Sequence, residues 1–438
     1  MVYDLVIHNG VIVTVNPDFD IIENGFVCIK NGRIERIEAR STDFSLPGAK
    51  EIINAKGGII MPGLVNTHTH LPMTLFRGLA DDLPLLEWLH KYIFSAEAKH
   101  INSESVKLGA LLACAEMILS GTTTCCDGYF FEDKVASAVY QSGMRAVLGQ
   151  GVIDFPAPGV PDPSYNIKNA VAFTEKWQGL SPLITPSIFC HSPYTCSAET
   201  LKRAKDAAAS KALLFQIHTA ETKDEQGQIR SEHRATPVQF LDRIGILDQN
   251  TLLVHTIWVD NDDINIIAKR RAKVSHNPES NMKLAAGIAP ITDFLKAGIT
   301  VGLGTDGCAS NNNLDLFQEM DFTAKLHKVN TFDPTVMDAR TVLQMATIDG
   351  AKAIGLDEDI GSLEIGKQAD LIIIDTDKPH LVPMYNPLSH IVYTVQGSDV
   401  RDVIVAGKIL VRDQNLLTID LEDILERATE ISKVIKQK

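Results

Sequence analysis

The stretch Ile59-Ile60-Met61-Pro62-Gly63-Leu64-Val65-Asn66-Thr67-His68-Thr69-His70 carries an apolar strand, Ile59–Val65, straight into two histidines two positions apart. Side chains two apart on a strand project to the same face, so His68 and His70 can converge on one ion. Neutral imidazole is a good zinc donor, at about 2.0–2.1 Å. The spacing alone is weak. With 13 histidines in 438 residues, chance gives roughly 0.4 such pairs per chain. What surrounds the pair decides its reading.

Outward from this stretch, from about 60 to 365, apolar strand-like runs alternate with longer amphipathic segments. The runs are Ile59–Val65, Thr122–Cys126, Ala146–Gln150, Ile184–Phe189, Ala212–His218, Thr251–His255, Lys273–His276 and Thr300–Thr305. Helical segments such as Ser103–Leu119, Ala198–Ala209 and Ile288–Ala297 fall between most of them. Eight strand-then-helix repeats predict an α/β fold, a (β/α)8 barrel of the TIM type over residues 61–365. The ends differ in texture. Leu5–Ile7, Val11–Val15, Phe26–Ile29 and Arg33–Ile37 are short strand-like runs, with Asn31-Gly32 as a hairpin turn. Asp370–Asp375, Val403–Val405 and Ile409–Val411 look alike at the far end. Residues 1–60 and 366–438 are therefore expected to build one small β-sandwich domain from both chain ends.

Within the barrel frame, polar residues close the strands. His218 ends Leu213–Ile217, His255 ends Leu252–Val254, and Asp306 follows Thr300–Gly304. Barrel enzymes collect their chemistry at the C-terminal strand ends, so these groups can surround one point together with His68 and His70. Taken singly, each histidine reads as a hydrogen-bonded core or rim imidazole, and Asp306 as a turn cap. The combination argues for a metal centre with Asp306 as ligand and base.

Bulk properties narrow the function classes. The mass of 48.0 kDa suits a barrel with an appendage, and 45% hydrophobic residues suit a packed globular protein. A net charge of −14 argues against nucleic acid, which calls for clustered Lys and Arg. The start, MVYDLVIHNGVIVTV, lacks a basic region before its apolar stretch and reads as a strand. No apolar run reaches about 18 residues, so no membrane partner is expected. Cys28, Cys114, Cys125, Cys126, Cys190, Cys196 and Cys308 form no C-x-x-C pair and suggest reduced thiols in a cytoplasm. Apolar positions in 76–94 and 311–330 suggest a homodimer or larger assembly.

PGLVNTHTH (62–70), His218, His255, LGTDGCASNN (303–312) and GSLEIGKQADLIIID (361–375) resemble the amidohydrolase superfamily. Within it the chain is similar to the 5′-methylthioadenosine/S-adenosylhomocysteine deaminases, through FRGLADDLPLLEWL (76–89), HSPYTCS (191–197), HTAET (218–222) and SHNPESNMKLAAGIAP (275–290). The resemblance implies one metal ion, zinc with iron as the alternative, bound by His68, His70, His218 and Asp306. Binuclear relatives carry a bridging modified lysine at the end of the fourth strand. Ile184–His191 has no lysine, so a single ion is implied.

A bound divalent ion lowers the pKa of its water from 15.7 to about 7, giving hydroxide at neutral pH. In line with the family, Glu221 is assigned to proton transfer onto N1 of the purine. Asp306 would take a proton from the water and pass it to departing ammonia, and His255 would orient the hydroxide and the tetrahedral adduct. Glu97 matches the family position that accepts the ribose 2′- and 3′-hydroxyls, a task suited to two carboxylate oxygens. His191 matches a substrate-contacting histidine, and Trp88 is a candidate to pack against the purine. The plainer readings are a Glu221 in a charged run, a Glu97 at a helix start, a structural His191 and a core Trp88.

One position departs from the family. Where many members have an Arg after G-M-R-A, this chain has Gln150, and an amide cannot form a bidentate ion pair with a carboxylate. The apolar run through Val152, Ile153, Phe155 and Pro156 follows. The expected reaction is hydrolytic deamination of an adenine nucleoside to the inosine analogue and ammonia. 5′-Methylthioadenosine is expected to be preferred, with adenosine, 5′-deoxyadenosine or S-adenosylhomocysteine as further substrates. The competing reading is an amidohydrolase acting on guanine, a pterin, cytosine or an s-triazine. Glu97 speaks against it, because a free base has no diol to recognise. A non-catalytic metal-binding scaffold is the remote alternative, and the full ligand set with Glu221 argues against that.

Overall fold

Gly63 is where the chain passes from one sheet to another. The structure, a computed structural model, describes residues 2–41, 45–83 and 87–436; residues 84–86 of the 76–89 stretch lie outside the described residues. The run expected as one strand, Ile59–Val65, is two. Ile59–Pro62 pairs antiparallel with Leu371–Ile374 and parallel with Val11 and Ile12. Leu64–Thr69 (β1) pairs parallel with Thr122–Tyr129 (β2). Pro62 has no N–H to extend a ladder. A Cβ at Gly63 would come within 2.1 Å of Thr123 Oγ1, so only glycine allows this close crossing.

The barrel continues through Arg145–Val152 (β3), Ile184–Cys190 (β4), Phe215–Thr219 (β5), Thr251–His255 (β6), Lys273–His276 (β7) and Val301–Leu303 (β8). Each pairs parallel with its neighbours in chain order. Beyond β8 the Asp306 N–H donates to the His68 carbonyl at 3.0 Å, tying the last strand to the first. Helix Ser103–Leu119 has the expected bounds, whereas Ile288–Ala297 shortens to Ile291–Lys296 because Pro290 sits at its start.

Both chain ends build a separate mixed sheet, nine-stranded among the described residues. Leu5, Ile7, Ile29, Ile60, Ile373 and Ile404 share its apolar core. Asn31 and Gly32 join two of its paired strands with φ of 50° and 77°, as a two-residue hairpin turn demands.

Arg145, at the start of β3, locks barrel to sheet. Its Nε and Nη2 donate to Asp370 at 2.7 and 3.1 Å, with side chains 7% and 2% exposed. Removing one partner of a buried pair strands the other charge. Asp370→Ala is expected to lower the unfolding free energy by about 3–5 kcal/mol, read by urea denaturation. A change below about 1 kcal/mol would show that the pair does not hold the two units together.

Among the described apolar positions of 76–94, Phe76, Trp88 and Ile93 are buried, with Trp88 and Ile93 lining the cavity at the barrel mouth, whereas Tyr92 is exposed. In the second segment and just past it, Phe322, Val329 and Phe332 are exposed. All seven cysteines are free and buried. Among the described residues no helix is long and apolar enough to cross a membrane.

Candidate metal and substrate site

Four side chains meet at the mouth of the barrel. His68 lies in β1 and His70 just beyond it, their ring centroids 4.7 Å apart. His218 comes from β5, and Asp306 from the loop after β8. One donor atom of each lies within 4.8 Å of the other three. His218 Nε2 and His68 Nε2 are 3.1 Å apart. Asp306 Oδ1 stands 3.5 Å from His68 Nε2 and 3.4 Å from His70 Nε2. Nδ1 of His70 donates to the Gly128 carbonyl at 2.6 Å, which leaves Nε2 as a bare lone pair facing Asp306.

Electrostatics suit this arrangement to a cation. Burial pushes His68 down to about 3 and His218 well below the usual histidine range, so the rings are neutral donors. Burial would raise Asp306, but hydrogen bonding, led by His68, outweighs it and the carboxyl lies well below the usual range. Ser280 Oγ and Ser310 Oγ donate to its Oδ2 at 2.7 and 2.8 Å, and the Gly307 N–H to Oδ1 at 2.8 Å. Asp306 has a φ of 61°, a conformation that is strained for a non-glycine residue and is fixed here by these donors. Three neutral imidazoles and one ionised carboxylate converging from the ends of three strands fit a four-coordinate divalent ion such as zinc. At this point β4 supplies Phe189, whose ring lies 5.2 Å from that of His218. Sequence reasoning missed Phe189. Its signal was the pair of strand glycines, Gly128 and Gly149, whose Cβ atoms would strike its side chain.

A cavity of about 860 Å³ opens from this group, within the range of about 300–1,000 Å³ for small-molecule sites. Trp88, Glu97, His191, Glu221, His255 and Asp306 all line it. A π-helical turn, Trp88–Ile93, precedes helix Phe94–His100 and brings Trp88 and Glu97 to the same cavity. Burial pushes Glu97 up to about 7, and the Tyr129 hydroxyl donates to it. His191 Nδ1 is tied to Thr195 Oγ1 at 2.9 Å, leaving Nε2 available to the cavity. His255 Nδ1 donates to Asn281 Oδ1 at 2.8 Å, and its Nε2 stands 3.9 Å from Glu221. Burial raises the Glu221 carboxyl. Tyr129, Tyr194, Ser280, Asn281 and Ser310 were not singled out from sequence. Ser280 and Asn281 sat in the quoted 275–290 stretch without a role.

Gln150 is not brought to the cavity. Its Oε1 accepts the Glu132 N–H at 3.1 Å and its amide turns toward the Gly151 carbonyl, while Gly151 itself lines the pocket. The lining also includes Phe94, Ile153, Phe155, Pro156 and Pro158, with the Phe94 and Phe155 rings 6.0 Å apart, and no Lys or Arg stands among the described lining residues.

The sequence pattern of the Amidohydrolase family matches residues 59–410. Over 99% of this chain and 98% of the relative, the chain is 47% identical to a 5-methylthioadenosine/S-adenosylhomocysteine deaminase of Syntrophobacter fumaroxidans. It is 45% identical to a 5′-deoxyadenosine deaminase of Methanosarcina mazei, over 98% of each. The crystal structure of an adenosine deaminase from Xanthomonas campestris with bound zinc superposes with a TM-score of 0.97 at 35% identity, covering 100% of this chain and 99% of that one. With a family match over most of its length and full-length likeness to these deaminases, the chain belongs to the amidohydrolase family.

Proposed function

We propose that this chain is a zinc-dependent deaminase of adenine nucleosides, with one zinc per chain and 5′-methylthioadenosine as the preferred substrate. The observation that carries the reading is a single cavity lined both by members of the metal-ligating group and by the buried carboxylate Glu97. A hydrolase of free bases has no use for a sugar-reading carboxylate beside its metal. The buried free thiols suit a cytoplasmic setting.

His68, His70, His218 and Asp306 would hold the ion, which when bound supplies a nucleophilic water at neutral pH. Two carboxylates in contrasting environments divide the proton work. Glu221, raised by burial, carries a proton to the ring nitrogen next to the attacked carbon. Asp306, held ionised, receives the proton released by the attacking water and returns it to the leaving ammonia. His255, fixed by Asn281, presents Nε2 to the group added at that carbon. Glu97, steadied by Tyr129, accepts from the ribose diol.

The 5′ end then meets Phe94, Ile153, Phe155 and Pro156. This wall favours a methylthio group and leaves an amino-acid carboxylate without a partner. kcat/KM for 5′-methylthioadenosine is expected to exceed that for S-adenosylhomocysteine by about 10-fold or more, equivalent to about 1.4 kcal/mol. An ultraviolet assay of both, with adenosine, adenine and guanine alongside and zinc analysis of the same sample, tests the proposal. Equal or better turnover of S-adenosylhomocysteine overturns the preference; better turnover of a free base overturns the nucleoside reading.

A further inference from the structure

Between the ligand His218 and the proton carrier Glu221 the backbone turns sharply. Ala220 is buried with a φ of 52°, a left-handed conformation that alanine adopts only when its surroundings impose it. Four hydrogen bonds impose it. The Ala220 carbonyl accepts the Ile257 N–H at 3.0 Å and the Trp258 N–H at 2.8 Å, both just past β6. From the other side, Glu225 Oε1 accepts the Ala220 N–H and Oε2 the Glu221 N–H, each at 2.8 Å. Two consecutive N–H groups converging on one anion form a backbone nest, and here the anion is a buried side chain of the same protein.

The helix that carries Glu225, Lys223–His233, does not need this carboxylate for its own start. Thr222 already caps it, Oγ1 accepting the Glu225 N–H at 3.1 Å. Glu225 reaches instead to the two residues before the cap. Its two bonds fix the peptide planes from which the Glu221 side chain departs toward the cavity and His255.

We infer that Glu225 is the positioning residue for Glu221, holding the 220–221 turn so that the Glu221 carboxylate faces the reacting ring. The inference rests on the reading of Glu221 as proton carrier. Glutamine at 225 keeps the size but sets an NH2 group against one of the two backbone N–H groups. The turn then relaxes, and a misplacement of about 1 Å at a reacting group costs about 10²-fold in rate. Substrate binding, carried by Glu97 and the apolar wall, is left in place.

The test compares Glu225→Gln, Glu225→Asp, Thr222→Ala and Glu221→Gln in the zinc-loaded full chain, reading kcat, KM, zinc content and melting temperature. Glu225→Gln is expected to lose about 10²-fold in kcat, with KM within about threefold and zinc retained. Thr222→Ala, which weakens only the helix cap, is expected to keep kcat within about twofold. If Glu225→Gln does not fold, Glu225→Asp decides, since it keeps the charge but is too short to reach both N–H groups; a loss of about 10-fold in kcat at constant KM is expected. Parent-like kcat in the decisive Glu225 variant overturns the inference, as does an equal loss in Thr222→Ala. A silent Glu225 variant beside an inactive Glu221→Gln sinks this inference alone, whereas an active Glu221→Gln sinks the proton-carrier reading with it.

Discussion

Glu221→Gln is expected to keep its zinc and to lose about 10³-fold in kcat, in the middle of the range of about 10²–10⁴ for general acid–base groups. Glu221 lies outside the group of four converging donors, so the ion should not notice the change. The amide matches the carboxyl in shape and can still approach His255, but it has no proton to give to a ring nitrogen. KM should move little, since the proposed contact of Glu97 with the ribose diol is unchanged. Metal analysis and steady-state kinetics on one preparation check this. Parent-like turnover with full zinc would remove Glu221 from the mechanism.

His218→Ala should cost still more. It deletes one of the three imidazoles in the converging group. Loss of partners behind a metal ligand typically costs about 10–100-fold in affinity, and loss of a ligand itself is expected to exceed that. Zinc content should fall to about a tenth of the parent's or below, and kcat/KM by about 10⁴-fold or more, because the ionised water is lost along with the ion. Chelation of the parent should reproduce the defect, and added zinc should reverse it only in the parent. Zinc retained stoichiometrically by His218→Ala would mean that the ion sits elsewhere.

Period-two spacing placed His68 and His70 on one face, and apolar runs ending in His218, His255 and near Asp306 placed the remaining groups at one end of a barrel. These features were legible because strand geometry converts sequence spacing directly into direction. Gly63 was not legible in the same way. An unbroken apolar run says that a segment is buried, but not that its first half pairs with Leu371–Ile374 and its second with β2. Gln150 shows the opposite case: likeness to a family position suggested a cavity residue, and its side chain instead accepts the Glu132 N–H. Glu225 was hidden because its partners are backbone N–H groups, which leave no residue-type signature.

The crossing at Gly63 makes the metal-bearing strand a direct extension of the terminal sheet. A shortened protein that begins there would free the anchored end of the strand that carries His68, and would bare the edge of Leu371–Ile374, which pairs with Ile59–Pro62. A portion that lacks the terminal sheet is therefore expected to lose the anchor of the strand that carries His68. Transplanting this centre into another scaffold means carrying the sheet along with it.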